Sequence, residues 1–584
     1  MSRIIKKDSI LKIIYRFFDL IVLTYIVFDF GYSINEIYKM PKLIGLLVIT
    51  FALLAFNIFK FNYYKTSGRK KVALVNSVII GFLIFVSTIV ALINYSLPII
   101  DILKLVRPIL EAGLIFYFII RLMILVRYIY EVYYNPAIVF VGSFFAIIMI
   151  GAFLLLLPNA TTNGITFTDA LFTSTSAVCV TGLIVVDTAT EFTIIGQSII
   201  ISLIQIGGLG ILTFTSFFAY FFRGSSSFKE GLNVRDFIAQ DTLKDVLKTA
   251  LSVVTFTISV EIIGALFIYS SIIDNVEIKD KVFFSVFHSI SAFCNAGFST
   301  LTAGLSEAHL QFNYYMQWVV MLMIIFGGLG YNIIFNFYQY LKINVIEFFD
   351  RKKIHKHLSI ITLNSKIVLY TTGALLIGGF VFLFLSEMNN TLLVHNTTFG
   401  KITTAAFNAV TPRTAGFNTM DFTQFSVPTL LFMIFLMWIG ASPASTGGGI
   451  KTSTFALATL NIFTIARGKS RIQLFGRRIS SESTSRAFAI LCISLIIIGF
   501  AIIALLIFEP KGIDLLAVVF ECFSAYSTVG LSLNFTPTLT EPSKYVIIVT
   551  MFIGRIGMLN LMIGMLRQIN HQFYEYPKEN ILIN

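Results

Sequence analysis

Charge is scarce in this chain. Of its 584 residues, 12% are charged and 57% hydrophobic, whereas a soluble globular protein carries roughly 25% charged and about 45–50% apolar residues. With a mean hydropathy of +0.86, that scarcity excludes a cytosolic enzyme, a disordered tail, a coiled coil and a secreted disulfide scaffold. A polytopic membrane protein remains. Cysteine is equally sparse. Cys179, Cys294, Cys492 and Cys522 all fall in apolar segments, so no disulfide framework is implied. The six histidines show no metal-ligand spacing, and His355 and His357 read as solvated members of a basic loop. The net charge of +13 implies no nucleic-acid partner, because Lys and Arg gather in the cytoplasmic loops of membrane proteins.

The basic start MSRIIKKDSILKIIYRF leads to no small-residue cleavage site, so a cytoplasmic N-terminus is expected. Apolar runs near 17–35, 43–60, 72–95 and 109–126 predict four helices. Longer runs near 136–157, 192–222, 248–273, 314–340, 366–388, 426–464, 486–509 and 543–568 are each long enough to span, and they come in pairs. Between the members of each pair lies a shorter segment rich in Ser, Thr and Ala, near 167–178, 280–293, 402–412 and 513–526. Such segments are too brief to cross and read as re-entrant half-helices. Charge agrees with helix counting. The basic stretches 60–71, 351–357 and 465–486 fall inside, and the loop 158–191, with no Lys or Arg, falls outside.

The chain is self-similar. The short segments run into TSTSAVCVTGL, HSISAFCNAGF, NAVTPRTAGF and CFSAYSTVGL, each ending in Gly followed by Leu or Phe. These glycines, Gly182, Gly297, Gly416 and Gly530, are spaced by 115, 119 and 114 residues. A Phe precedes the Gly by ten residues in three copies (Phe172, Phe287, Phe520), with Phe407 one step off, and Asp187 and Asp421 follow five residues after it in the first and third. A second element repeats as QIGGLGILTF, FGGLGYNIIF and IGRIGMLNLM, replaced in the third copy by WIGASPASTGGGIKTSTF. The unit is helix, half-helix, Gly-ended loop, helix, four times over.

Glycine after a half-helix permits positive φ and leaves backbone carbonyls free to turn toward an axis. Four such loops would make a ring of oxygens able to replace the hydration shell of a bare cation. The partly negative C-terminal ends of the half-helices would add to the attraction. For a single glycine, tight helix packing is the plainer explanation. Four copies in phase, each beside a segment too short to span, favour a pore.

Residues 136–584 resemble the Trk/Ktr/HKT superfamily of potassium transporters, especially the membrane-spanning subunits TrkH and KtrB, on the strength of STVG (527–530) and its degenerate versions CVTG, CNAG and RTAG. The resemblance implies an all-α polytopic membrane protein in which four M1–P-loop–M2 repeats surround one pore, with about four extra N-terminal helices. The implied divisions are 1–135 (extra helices), 136–235, 236–350, 351–478 and 479–584. It assigns a K+ selectivity filter to Val180, Thr181, Gly182, Asn295, Ala296, Gly297, Thr414, Ala415, Gly416, Thr528, Val529 and Gly530, with K+ at the four glycines. In the family, Ser at the first glycine goes with sodium preference, so Gly182 implies potassium. It also assigns a gate to an intramembrane loop, Ser445, Thr446, Gly447, Gly448, Gly449 and Lys451, together with Arg555. Three glycines cost an apolar helix about 1 kcal/mol each relative to Ala, which itself disfavours a regular helix there. An Arg in a span costs roughly 2.5–3.5 kcal/mol and must face protein or water.

No cofactor is expected, K+ being cargo. The implied partners are a second copy in a homodimer, membrane lipid, and a cytosolic RCK-type nucleotide-binding subunit of the KtrA/TrkA kind. The implied location is the bacterial cytoplasmic membrane. STGGGIKT is not read as a phosphate loop, since Ile450 separates Gly449 from Lys451 and no strand precedes it. The two GGLG sequences lie in apolar helices and do not suggest a dinucleotide site. The extra N-terminal helices are read as packing elements, and Glu111 and Arg121 as about 15 Å apart and unable to pair. The tail YPKENILIN (576–584) resembles that of the Ktr subunits. A membrane enzyme would need an acid, His or metal cluster at the boundary, which the sequence lacks. An alternating-access carrier, the alternative reading, usually has two repeats with broken helices.

Overall fold

The computed structural model describes residues 21–117 with interruptions (23, 26, 30, 33–38, 64–66, 95–97, 99–101, 103–104, 112 and 115–116), then 136–210, 246–349 except 274–276 and 279, and 361–557 except 444 and 470. His355, His357, Arg121, the basic loop 351–357 and the tail 576–584 lie outside the described residues.

The chain is almost wholly helical. Two of the four expected N-terminal helices are seen in full, α1 (Lys39–Tyr63) and α2 (Ser67–Ile93). Helical residues are also present within 21–31 and 105–114. Together they enclose their own core of Val22, Leu46, Leu53, Ile80, Val106 and Leu110. Then come four successive sets. They are α3 (Pro136–Leu155), α4 (Phe167–Val178) and α5 (Ile194–Leu209); α6 (Val246–Ser271), α7 (Lys281–Cys294), α8 (Tyr314–Leu329) and α9 (Tyr331–Phe349); α10 (Leu363–Glu387), α11 (Thr398–Val410), α12 (Val427–Trp438) and α13 (Thr452–Ala466); and α14 (Ser481–Phe508), α15 (Leu515–Ser527) and α16 (Glu541–Ile556). Between α13 and α14 a two-residue hairpin pairs β1 (Gln473–Leu474) with β2 (Arg477–Arg478). Phe475 and Gly476, at φ 48° and 74°, supply the two left-handed positions that its turn requires.

Among the described residues, Ile44–Asn62, Ala73–Ile93, Ser252–Ser271, Leu363–Glu387 and Ser481–Phe508 are each long and apolar enough to cross a membrane. Their outward faces are apolar as well: Leu266, Phe500 and Ile507 are 65%, 69% and 70% exposed. Helices hydrophobic all round belong in lipid. The four short helices α4, α7, α11 and α15, at 12 to 14 residues, reach only about 20 Å, against about 30 Å for the hydrocarbon core. The core therefore sits around them. One cluster joins Phe172 and Cys179 to Phe287, Cys522 and Met551, so the fourth set packs back onto the first.

The apolar runs near 192–222, 314–340 and 543–568 do not form single continuous helices, and 211–222 and 558–568 lie outside the described residues. Helices α5, α8 and α16 stop at Gly210, Gly330 and Gly557, whose φ values are 73°, 75° and 83°. After Gly330 the chain resumes at a bend of 99°. The third set breaks earlier, after Trp438, as its glycine-rich insert predicts. Each left-handed glycine closes a turn that an L-residue enters only under strain.

Candidate functional site

Each short helix is started by a residue whose side chain accepts a backbone N–H: Thr166 from Asp169, Asp280 from Phe283, Thr397 from Gly400 and Asp514 from Leu516. Each is anchored by the Phe of the sequence repeat; Phe172, Phe287, Phe407 and Phe520 are no more than 1% exposed. The helices therefore end at a fixed depth, with their carbonyl ends directed at the segments that follow.

Those segments share one backbone pattern. Val180, Asn295, Thr414 and Thr528 adopt φ of 55°, 62°, 70° and 51°, and the glycines two residues later adopt 90°, 70°, 75° and 92°. Left-handed residues thus flank Thr181, Ala296, Ala415 and Val529. The four glycines close on one another. A Cβ placed on Gly182 would lie 3.3 Å from Gly297 Cα; on Gly297, 2.9 Å from Gly416 Cα; on Gly416, 3.3 Å from Gly530 Cα; and on Gly530, 3.0 Å from Gly182 Cα. Each such Cβ would also strike the carbonyl oxygen of the residue before the next glycine: Ala296, Ala415, Val529 and Thr181 in turn. Glycine is required here twice over, for its φ and for the missing methyl. All twelve residues predicted as the filter are brought together in this ring.

Side chains behind the ring hold it in place, and sequence reasoning missed them. Ser176 Oγ and Ser524 Oγ each accept the N–H of the ring glycine, Gly182 and Gly530, at 3.1 Å. Ser291 Oγ donates to Phe298 O at 2.8 Å and Thr411 Oγ1 to Phe417 O at 2.5 Å. The Asn295 amide has all its bonds satisfied when its nitrogen faces Ala292 O (3.1 Å) and Ile324 O (3.2 Å) and its oxygen accepts from Thr414 Oγ1 (3.2 Å), linking two segments. The signal available was the hydroxyl five or six residues before each glycine, hidden among other Ser and Thr.

The second repeated motif brings helices into close contact. A Cβ on Gly207, Gly327 or Gly554 would collide with the carbonyl oxygen of Val178, Phe293 or Tyr526, each four residues before a ring glycine. The next position in the motif holds Gly208, Gly328 and Ala441 in three sets and Arg555 in the fourth. Arg555 therefore occupies, once, a place where its counterparts have almost no side chain. Its Nη1 donates to Thr446 O and its Nη2 to Gly207 O at 2.6 Å.

Residues 445–451 lie against the ring segments. Gly448 N–H donates to Thr528 Oγ1 at 3.1 Å, a Cβ on Gly447 would meet Thr414 Oγ1, and one on Gly449 would lie 3.2 Å from Ser527 Cα. Thr446 binds the second set, through Oγ1 to Phe293 O (3.2 Å) and N–H to Gly327 O (3.3 Å). Ser445 and Lys451 bond within the insert: Ser445 Oγ to Ser442 O at 2.7 Å and Lys451 Nζ to Gly447 O at 2.5 Å. Irregular backbone at this depth is tolerated because protein satisfies its polar groups.

Other polar residues have local partners. Asp187 and Asp421 close turns, accepting from Ala189 N–H (2.9 Å) and Thr423 N–H (3.0 Å). Arg413, buried beside the third segment, donates to Thr372 O (3.3 Å) and Gly440 O (3.4 Å). Glu261 accepts from Gln205 Nε2 at 3.0 Å. Glu111, which sequence reasoning left without a partner, pairs with Arg107 one turn away, and Arg107 also reaches Asp29 at 3.5 Å. The four cysteines are free thiols.

A helical chain with several spans long and apolar enough to cross a membrane, and four short helices converging on one ring, is a multi-pass membrane protein. The family model for TrkH, a cation transport protein, matches residues 130–574, and the chain belongs to that family. It is 36% identical over 455 residues to the potassium/sodium uptake protein NtpJ of Enterococcus hirae, covering 77% of this chain and 97% of the relative. It is 38% identical over 429 residues to Ktr system potassium uptake protein B of Bacillus subtilis (73% and 92%) and 37% over 443 residues to that of Vibrio alginolyticus (75% and 93%). The fold is similar to that of the potassium transporter TrkH from Vibrio parahaemolyticus, with a TM-score of 0.59 at 16% identity, covering 89% of this chain and 97% of that one.

Proposed function

We propose that this protein takes up potassium ions across the cytoplasmic membrane of a bacterium through one pore per chain. The observation that carries the reading is the closed ring of Gly182, Gly297, Gly416 and Gly530, with left-handed residues two positions before each. In this reading the carbonyls of Val180, Thr181, Asn295, Ala296, Thr414, Ala415, Thr528 and Val529, with those of the glycines, replace the water around a dehydrated K+. The pore repeats run 136–235, 236–350, 351–478 and 479–584, and residues 1–135 pack beside them. The membrane potential drives entry, at about 2.3 kcal/mol per charge per 100 mV, and no covalent chemistry is involved.

The insert from Ser445 to Lys451 is the gate. Its bonds to Thr528, Phe293 and Gly327 support that reading. Arg555 holds it closed through Thr446 O and sets a fixed positive charge beside the path, where charge acts strongly in a low dielectric. A homodimer and a cytosolic RCK-type nucleotide-binding subunit complete the assembly. The names of the Ktr system relatives, which denote a system of parts, support that reading. Uptake of radiolabelled rubidium by proteoliposomes under an inward-negative potential tests the proposal. Uptake blocked by excess K+ but not by excess Na+ is expected; no uptake, or equal block by both, would overturn it.

A further inference from the structure

The residue after the buried Phe of each short helix is polar and fully enclosed: Thr173, His288, Asn408 and Glu521. Among the described residues, only the second and fourth sets connect it to the chain leaving the ring. His288 Nε2 lies 2.8 Å from Ser299 Oγ, and Glu521 Oε2 accepts from Ser532 Oγ at 2.8 Å. Both serines stand two residues after their ring glycine and 11 residues after their helix partner. His288 Nδ1 faces Phe284 O at 2.9 Å and so carries the ring proton, which leaves Nε2 as the acceptor. Each serine thus donates to the helix and accepts from the outer loop, Ser299 from Leu301 N–H (3.1 Å) and Ser532 from Phe535 N–H (3.2 Å). Glu521 also accepts from Thr536 Oγ1.

The other two sets lack this connection. Ile184 takes the serine position after Gly182. Asn418 takes it after Gly416 and donates instead to Ala303 O at 3.2 Å. Among the described residues, Thr173 Oγ1 and both amide atoms of Asn408 have no hydrogen-bond partner. In the ring order 182, 297, 416, 530, the glycines Gly297 and Gly530 are not neighbours. The two connected segments face each other on one diagonal.

We propose that His288 and Glu521 are positioning residues that brace the outer edge of the ring through Ser299 and Ser532, and that this brace sets the discrimination between potassium and the smaller sodium ion. The inference rests on the filter reading above. A ring of oxygens selects by the spacing and stiffness of its carbonyls. Hydroxyls and the insert hold its inner side; on this diagonal two serines hold its outer side, and a hydroxyl freed from its acceptor lets the segment relax.

The test is the K+/Na+ preference, read from reversal potentials and rubidium uptake in proteoliposomes of the full chain. Ser532→Ala should lower the preference by about tenfold, the loss of one buried hydrogen bond, and Glu521→Leu, which also frees Thr536, by at least as much. The double variant should lose no more than Glu521→Leu alone, because that change already removes the Ser532–Glu521 bond. Glu521→Gln should keep most of the preference, since its carbonyl oxygen still accepts the serine proton. Ser299→Ala should give a smaller loss of the same kind. Unchanged preference in Ser532→Ala, or losses that add in the double variant, would overturn the proposal. Ser532→Ala removes one oxygen and keeps the test available if Glu521→Leu fails to fold. Gly182→Ser separates the two readings: if it relaxes preference and Ser532→Ala does not, only the brace fails; if neither it nor the wild type discriminates, the filter reading fails.

Discussion

Arg555 donates from Nη2 to the carbonyl oxygen of Gly207 at 2.6 Å, joining the last set of helices to the first. Through Nη1 it holds Thr446 O of the insert. One side chain thus ties the insert to the inner ends of two helices. Arg555→Ala should raise the rate of rubidium uptake in proteoliposomes severalfold, because the insert loses its tether and the path loses a cation. Arg555→Lys keeps the charge but not the forked donation, and should give an intermediate rate. Equal rates in all three proteins would remove Arg555 from gating.

Shortening the insert should act in the same direction. Without residues 446–449, the contacts to Thr528, Phe293 and Gly327 cannot form. Flux above wild type is the expected outcome, measured in the absence of any cytosolic subunit. Flux at or below wild type, with normal folding shown by size-exclusion chromatography, would count against the gate.

Gly182→Ser places a side chain where Ala296 O now lies, on a backbone at φ 90°. The ring must open on that side. The reversal potential should move toward that of sodium, by an amount equivalent to about tenfold in permeability ratio or more.

Gly554→Ala probes stability. The added methyl would meet Tyr526 O, a backbone atom that cannot swing aside. A loss of about 1–3 kcal/mol is expected from such overpacking, seen as a lower melting temperature in detergent. The same change at Gly373, inside α10 where a Cβ would meet nothing within 4 Å, should not lower stability and should raise it by up to about 1 kcal/mol.

His395, in the loop before α11, bridges Tyr314 OH and Thr404 Oγ1, both at 3.0 Å. Burial, and secondarily Lys401, hold its pKa below the ordinary 6.5. The folded protein therefore binds fewer protons here than the unfolded chain. Its contribution to stability is complete above about pH 6.5 and is lost as pH falls below that value toward the lower folded-state pKa. Melting temperature should drop between about pH 7 and pH 5, and His395→Gln should flatten that dependence.

The repeat was legible because two constraints leave marks that composition cannot hide. A ring glycine must be glycine, and a segment of 12 to 14 residues cannot span. Hence the four short helices appear within a few residues of where hydropathy puts them. The breaks at Gly210, Gly330 and Gly557 were not legible, since apolar residues continue on both sides and hydropathy does not register a single φ. The serines behind the ring were hidden for a different reason. Hydroxyls are common in apolar helices, and only the fold shows that Ser176 and Ser524 meet a glycine amide while their neighbours do not. The value of GGLG as a contact surface likewise needed the carbonyl oxygens of Val178 and Phe293 to be located.

Because four unlike stretches of a single chain form the ring, its corners are free to diverge. An assembly of identical subunits would have to carry four arginines at the Arg555 position or none, and four would crowd the tunnel with mutually repelling guanidinium groups. A single chain carries no such restriction: here Gly208, Gly328 and Ala441 stand where the fourth set has Arg555, so one cation can sit off-centre beside an otherwise near-symmetric ring.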